Sequence, residues 1–297
     1  MNLKYIALFL VVVFCSSCGN SRKEVPGSNY SGMDPEALSI PEEAMNEVIG
    51  NIGSPIEVAL LLNELQVPFS AAYLSHPEKM NDTVSGFDLA YKLGILNSNL
   101  GYFIIYNMSG SSISHLEAIR DITVTLDLEE FFNFKKLERL ASRDNNTDSL
   151  LFVSMNSFNR KLDHLRSNDR GSLATMMVAG VWIEGLYLAT QAYKQSEADE
   201  IRTMIGEQKH ILSDLLIIMQ RYKTDPNFNN LYEDYLQIRK RFDKVKITYK
   251  IGEPETVEVD GMLMVIQNET TTMDLSDKTL SDIIEITEEI RNKHLNI

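Results

Sequence analysis

The sequence holds very little cysteine. Only two cysteines occur in 297 residues, Cys15 and Cys18, and both lie at the end of an N-terminal apolar segment. A folded domain that follows this segment has no thiol. Disulfide bonds, thiolate metal sites and a cysteine nucleophile are therefore excluded from it.

The motifs of common catalytic and metal sites are also missing. The chain has no glycine-rich phosphate loop and no serine-centred nucleophile elbow. Glu207 and His210 have the Glu-x-x-His spacing of di-iron bundles, but the second copy that such a site needs is absent. Residues 144–148 begin like a calcium loop, but Ser149 and Met155 stand where the turn glycine and the bidentate glutamate belong. We therefore expect no metal ion and no cofactor.

Positive charge is scarce, and so are glycine and proline. The formal net charge is -14, and an acidic surface disfavours nucleic acid and anionic lipid headgroups as partners. The chain contains 15 Gly and 8 Pro, while 44% of its residues are apolar. This composition is that of a globular protein, and the regular apolar spacing indicates helices.

The N-terminal segment has the pattern of a secretory signal. Lys4 gives a positive start, and Tyr5 to Phe14 is an unbroken apolar run, followed by Cys15, two serines and Cys18. This run is too short to span a bilayer, which takes ~20 apolar residues. The segment resembles the lipobox of bacterial lipoproteins, with Cys15 where leucine is usual. The resemblance implies that residues 1–17 are a signal peptide and that Cys18 is lipidated with fatty acyl chains such as palmitate.

The resemblance also implies a location. A lipidated Cys18 becomes the first residue of the mature chain and holds it at the membrane, because each buried methylene contributes ~0.8 kcal/mol. In the enterobacterial sorting pattern, Gly19 favours the outer membrane, with the domain facing the periplasm. Residues 18–53 are polar and predict a flexible tether with a reach of ~30 Å. The alternative is ordinary secretory cleavage, with Cys18 as a plain thiol.

Apolar periodicity predicts a succession of helices after the tether. In residues 85–107, leucines follow one another at steps of three and four, which is typical of a buried helical stripe. We expect residues 54–243 to form a mainly α-helical domain, either a bundle or a stack of helical hairpins loosely similar to tetratricopeptide repeats. The predicted helices are 54–65, 68–76, 85–107, 112–126, 128–142, 147–166, 170–193, 196–222 and 228–242.

Residues 244–297 have a different pattern. Alternation in residues 247–251, and two β-rich runs that flank Asp260-Gly261, predict a β-hairpin, because both positions of its tight turn need positive φ. Residues 276–293 predict a final amphipathic helix. We expect hairpin and helix to pack on the helical body. Over most of its length the chain resembles helical periplasmic lipoproteins of Gram-negative bacteria, a likeness that rests on no chemical motif.

The most apolar helix carries one carboxylate. Between Leu173 and Ala189, only Thr175 and Glu184 interrupt the apolar residues, as in a central bundle helix. The segment is too short for a membrane span, and a charge at its middle is costly there. Glu184 must therefore be paired, hydrogen-bonded or protonated. It has either a structural partner, Lys92 or an arginine, or a role in ligand binding or acid–base chemistry.

A second stripe on the 85–107 helix is polar and aromatic. Its residues step by three and four positions and are Asp88, Tyr91, Ile95, Asn99, Tyr102 and Tyr106. Tyrosine rings stack on sugars and peptides, while Asp and Asn fix a ligand's orientation. The stripe therefore predicts a ligand-binding cleft that also includes Glu184. The alternative is that the tyrosines pack with their hydroxyls at the rim and that Asp88 pairs with Lys92.

These observations rank three functions. The anchor, the helices and the missing chemistry favour a non-enzymatic interaction or scaffold module of the cell envelope, with a protein or polymer as its partner. The second hypothesis is a small-molecule or glycan-binding lipoprotein that uses the tyrosine cleft. The third is an enzyme with Asp88 and Glu184 as its acid–base pair, which glycosidase chemistry would need ~5–10 Å apart. The sequence assigns no catalytic residue.

Overall fold

The computed structural model describes the chain from Ile56 to Asn296, apart from five short gaps. The gaps are residues 81–84, 143–145, 253, 260–261 and 267–268. The predicted leader, Cys18 and the tether lie outside the described residues. So do the first residues of the predicted 54–65 helix and the Asp260-Gly261 turn.

Within the described residues the protein is mainly α-helical, as predicted. The nine α-helices are α1 (Glu57–Glu64), α2 (Gly86–Ile105), α3 (Ile113–Thr125), α4 (Phe134–Ala141), α5 (Thr147–Ser167), α6 (Gly171–Ser196), α7 (Asp199–Gln220), α8 (Pro226–Phe242) and α9 (Asp277–Leu295). Between α8 and α9 the chain forms antiparallel strands, so the predicted helical fold with a small β-hairpin and a final helix is confirmed.

Two predicted helices differ from expectation. Residues 68–76 form only a 3-10 turn at Ala71–Tyr73, because backbone groups of this segment bond to side chains of α2 instead of to one another. The 128–142 helix begins only at Phe134, after a separate 3-10 turn. Asn133 determines this start, since its side chain accepts a hydrogen bond from the backbone N–H of Lys136 and caps α4.

Helix α6 is the centre of the bundle. It contacts α1, α2, α5, α7 and α9, and its closest partner is α2. By length and composition α6 could cross a membrane, but 89% of its most apolar window is buried inside the protein. The helix is longer than the sequence predicts, so its burial, and not its length, identifies it as a core helix.

Two glycines let α2 and α6 approach each other closely. A Cβ atom added at Gly94 would lie closer than 3.0 Å to the backbone of Met177, and one at Gly180 would meet the backbone of Tyr91 in the same way. Side chains longer than a hydrogen would separate the helices. The packing of this pair therefore depends on glycine at both positions.

The strands form two antiparallel pairs, which together we call the ribbon. They are β1 (Lys246–Ile251), β2 (Glu255–Val259), β3 (Met262–Ile266) and β4 (Glu269–Asp274). Strand β1 pairs with β4, and β2 pairs with β3 in a register that places Val259 opposite Met262. The sequence analysis missed β4, because its threonine-rich, polar sequence lacks an apolar alternation.

Helix α7 holds the base of the ribbon. The guanidinium of Arg202 donates to the carbonyl oxygen of Leu275, and the ammonium of Lys209 donates to that of Val245, each at 2.5 Å. Both carbonyls belong to the residues that flank the ribbon. The two cations thus satisfy backbone groups at the point where the ribbon leaves the helices.

We predict that alanine at either close-packed glycine destabilises the fold. Gly94→Ala and Gly180→Ala should each lower the free energy of unfolding by roughly 3 kcal/mol, because the added methyl group overlaps the backbone of the neighbouring helix. Gly110→Ala is the matched control, since a Cβ there meets no atom within 4 Å. Urea unfolding followed by circular dichroism measures the difference. Equal stability of all three variants would contradict the close approach.

Candidate functional site

The carboxylate of Glu184 forms the centre of a buried polar cluster. It lies in the middle of α6 with no solvent exposure. Arg291 of α9 binds it with two nitrogens, Nε to Oε2 at 2.5 Å and Nη2 to Oε1 at 2.9 Å. This forked, charge-assisted geometry is the strongest arrangement for such a pair. The partner predicted for Glu184 is therefore Arg291.

Asn99 of α2 completes the cluster. Its amide nitrogen donates to Oε1 of Glu184 at 2.5 Å, and its carbonyl oxygen accepts from the backbone N–H and the hydroxyl of Ser75. One asparagine side chain thus links the loop before α2 to the central helix. Together the four residues connect that loop, α2, α6 and α9 through hydrogen bonds.

Tyr187 covers the guanidinium of Arg291. The Cζ atom of Arg291 lies 3.9 Å from the centre of the tyrosine ring, which adds a cation–π contact. Burial alone would lower the pKa of Arg291, but the charge and hydrogen bonds of Glu184 act against burial, and the pKa is raised. The guanidinium therefore stays charged and neutralises the carboxylate.

Protein groups already occupy the carboxylate oxygens that Glu184 would need for catalysis. Oε1 of Glu184 accepts two hydrogen bonds and Oε2 accepts one, all from protein groups. Asp88, the other half of the hypothetical acid–base pair, is exposed in the first turn of α2. It precedes Asn99 by eleven positions, or about 16 Å of helix rise. The geometry is that of a structural ion pair.

The chain itself covers the C-terminal end of the tyrosine stripe. The hydroxyl of Tyr102 accepts from the backbone N–H of Ser70 at 3.1 Å, and the hydroxyl of Tyr106 donates to the carbonyl of Val67 at 2.8 Å. The ring of Phe69 stacks on Tyr102 with centroids 5.1 Å apart. Where the sequence suggested an external ligand, the tyrosines hold the protein's own segment 67–75.

The remaining stripe residue, Tyr91, packs in the interior. Its side chain is 1% exposed, its ring lies 5.5 Å from that of His294 on α9, and burial raises the pKa of its hydroxyl. Tyr91, Asn99, Tyr102 and Glu184 thus meet protein atoms, not an open cleft, in the part of the chain that the structure describes.

A second ionic cluster lies nearby and escaped the sequence analysis. Asp234 of α8 is buried and accepts from Lys293 at 2.7 Å and from His294 at 2.7 Å. Burial lowers the pKa of His294 in spite of the neighbouring Asp234, which acts to raise it. The only signal in the sequence was a cationic last turn of the final helix, which is common at helix C-termini.

Lys161 is a buried cation that the sequence did not indicate. Its side chain on α5 has no exposure, and among the described residues its ammonium has no hydrogen-bond partner. The nitrogen lies 4.9 Å from the centre of the Phe132 ring. Burial lowers the pKa of Lys161 to about 7. The position was missed because Lys161 follows Asn159 and Arg160 in the sequence and looks like part of an exposed face.

Phe132, the ring beside Lys161, also lines one shallow surface groove. The groove has a volume of about 570 Å³ and contains side chains of both charges; its lining residues are Arg120, Glu129, Glu130, Phe132, Asn133, Phe134, Lys135 and Glu138. Within the described residues, no three His, Cys, Asp or Glu side chains lie close enough to hold a metal ion. Of the Glu-x-x-His pair, His210 instead lies 2.9 Å from the hydroxyl of Tyr249.

We predict that the Glu184–Arg291 pair is essential for stability. Arg291→Met should lower the free energy of unfolding by about 3–5 kcal/mol, because it leaves a buried carboxylate without its counter-ion. The double variant Glu184→Leu/Arg291→Met should recover most of this loss, since it leaves no unpaired charge at this position.

The matched control is an ion pair that joins the same two helices at the surface. Lys194 of α6 binds Glu288 of α9 at 2.7 Å with both side chains about 40% exposed. Lys194→Met should therefore cost less than ~1 kcal/mol. Urea unfolding of these three variants and the natural chain measures the differences. An Arg291→Met chain as stable as Lys194→Met would refute the role of the buried pair.

We predict that Lys161→Met stabilises the protein near neutral pH. The pKa of Lys161 is about 7 in the folded chain and 10.5 in the unfolded chain, so between these values the unfolded state binds more protons. Stability of the natural chain should thus rise as the pH increases from 7 toward 10.5. Lys161→Met should add on the order of 3–5 kcal/mol near pH 7 and remove this part of the pH dependence.

Lys136→Met, at an exposed position of α4, is the control and should change stability by less than ~0.5 kcal/mol. Urea unfolding at neutral and alkaline pH separates the two variants. A Lys161→Met chain that is less stable than the natural one at neutral pH would show that the ammonium makes a net favourable contact.

Comparison with known proteins gives no information about this site. No protein-family model, no curated protein and no solved structure matches the chain. The assignment of the cluster around Glu184 therefore depends on the contacts described above. Those contacts indicate a structural centre that fixes α9 and the loop before α2 on the central helices.

Proposed function

We propose that this protein is a lipid-anchored, non-enzymatic interaction module of the bacterial cell envelope. The observation that supports this proposal most directly is that both carboxylate oxygens of Glu184 are bonded to protein groups. The carboxylate best placed for chemistry is neutralised by Arg291 and bonded by Asn99, inside the protein. The tyrosine stripe is in contact with the chain's own segment 67–75. Because these interior groups are already bonded to the protein, we propose that the helical domain binds its partner through its outer surface.

The anchor is supported by the leader sequence. Lys4, the apolar run from Tyr5 to Phe14 and the cysteine at position 18 have the order of a lipoprotein signal. Acyl chains on Cys18 would hold the protein at the periplasmic face of a membrane, in our proposal the outer membrane. In our proposal the polar residues 19–53 are the tether between this cysteine and the helices, and a tether of this composition would let the helical domain meet a partner.

An apolar patch on α5 favours a protein as that partner. Phe152 is 70% exposed, the most exposed of the large apolar side chains in the described residues. Leu151 and Met155, which lie within one turn on the same helix, are half-buried. Exposed aromatic and methionine side chains are enriched at the centres of protein interfaces. We therefore place the main contact at the N-terminal half of α5.

Site-specific photo-crosslinking in cells tests anchor and interaction together. The natural chain should fractionate with membranes, and a photoreactive phenylalanine at position 152 should give one defined adduct with an envelope protein. The same probe at the exposed Glu207 of α7 is the control and should give none. Cys18→Ala should move the chain to the soluble fraction and remove the adduct, because the partner is no longer reached.

The outcomes separate the two parts of the proposal. A natural chain that lacks acyl mass and stays soluble would overturn the anchor. A membrane-bound chain that gives no adduct at position 152, or the same adducts at positions 152 and 207, would overturn the interaction through α5.

A further inference from the structure

Segment 67–75 lies on α2 in the way that a bound peptide lies on its receptor. It is part of the connection between α1 and α2, and its only regular structure is the 3-10 turn at Ala71–Tyr73. The backbone hydrogen bonds of this turn are 3.3 Å and 3.2 Å long, near the upper end of the usual range. The segment therefore has little structure of its own, and side chains of α2 hold its backbone in place.

Two tyrosine hydroxyls bind the backbone of the segment at positions three residues apart. The backbone N–H of Ser70 donates to the hydroxyl of Tyr102 at 3.1 Å, and the hydroxyl of Tyr106 donates to the carbonyl oxygen of Val67 at 2.8 Å. Both bonds recognise main-chain groups, which nearly every residue of any peptide carries. A peptide from another protein offers the same donor and the same acceptor.

Three rings at the end of α2 form an aromatic cradle for one side chain of the segment. The cradle consists of Tyr102, Phe103 and Tyr106, whose ring centres lie 5.1 Å, 5.7 Å and 5.8 Å from that of Phe69. Tyr102 and Phe103 are at most 5% exposed, whereas Phe69 is half-buried. Aromatic pairs at these distances attract each other, so the cradle favours a phenylalanine or tyrosine ring in its ligand.

The middle of the segment is held less firmly than its ends. Residues 68–74 are all exposed or half-buried. In contrast, Val67 is buried and its N–H donates to the carbonyl of Leu62 at 2.9 Å, while Ser75 is buried and bonded to Asn99. Local opening takes place where few apolar groups are buried, so residues 68–74 can leave α2 while both ends stay in place.

We propose that residues 68–74 are a displaceable strap over a peptide-binding site, and that the ligand is a segment of another protein that carries a phenylalanine or tyrosine. The strap shows what the site recognises: an N–H for Tyr102, a carbonyl for Tyr106 and a ring for the cradle. Its effective concentration at the site is on the order of millimolar, so only a ligand that makes additional contacts or is held nearby replaces it. This site involves neither Cys18 nor Phe152 and goes beyond the proposed function.

Binding of a labelled peptide to the full chain tests the site. The probe is a synthetic peptide with the sequence of residues 66–75 and blocked termini, and fluorescence anisotropy measures its affinity. Phe69→Ala/Ser70→Pro removes the ring and the backbone N–H of the chain's own strap. This opened chain should bind the peptide at least about tenfold more tightly than the natural chain, in which the strap occupies the site. Equal affinities, or no binding to either chain, would overturn the proposal.

A tyrosine on another element provides the matched control. In the opened chain, Tyr102→Phe should weaken peptide binding about fivefold, because it removes the acceptor for the peptide's N–H. Tyr249→Phe also removes a hydroxyl with a hydrogen-bond partner, since that hydroxyl lies 2.9 Å from His210, and it should leave the affinity within about twofold. Equal effects of both substitutions would show that the peptide does not use the cradle. Circular dichroism confirms that each variant is folded.

Hydrogen exchange in the natural chain gives a result that depends on no variant. The amide of Ser70 should exchange through local opening of the strap, with a smaller free energy than the buried amides of α6 and with little dependence on low concentrations of urea. A Ser70 amide that exchanges only together with α6, with the same urea dependence, would show that the strap stays closed in the folded protein. That result would overturn the strap and leave the proposed anchor and the contact at α5 unaffected.

Discussion

The ion pair between Glu184 and Arg291 is the interaction on which the architecture depends most. It joins the centre of the bundle to the last helix, more than one hundred residues later in the sequence. Removing two charges from water is costly, and this cost is offset only when every acceptor and donor has a partner. Asn99 and Tyr187 supply the additional contacts. The final helix is therefore held by a contact that tolerates little displacement.

The same constraint accounts for how the N-terminal side of the bundle is closed. Gly94 and Gly180 bring α2 against α6, which places Asn99 within reach of Glu184. The tyrosines further along α2 hold segment 67–75 through its backbone, and Ser75 bonds to Asn99 in turn. Polar residues that resemble a binding site in the sequence thus satisfy one another. A function at the surface, as we propose for the anchor and for α5, is compatible with these interior contacts.

Much of the fold could be predicted because it follows from local periodicity. Stripes at steps of three and four located seven of the α-helices in the bundle and the final helix to within a few residues, and the Asp-Gly pattern predicted the ribbon. The predictions that failed concern elements whose structure depends on tertiary contacts. Segment 68–76 is not helical because α2 binds its backbone, and the polar strand β4 is a strand because β1 pairs with it. Hydrogen bonds between distant segments leave no periodic signal.

By itself the sequence determined the helical class, the burial of Glu184 and the need for a partner. Each of these follows from composition, short-range spacing or the cost of an unpaired buried charge. Only the tertiary structure decided that the partner is Arg291, that the tyrosines hold the chain's own segment, and that Lys161 is buried. These three features depend on tertiary packing, because the fold brings together residues that are far apart in the sequence and that no local pattern connects.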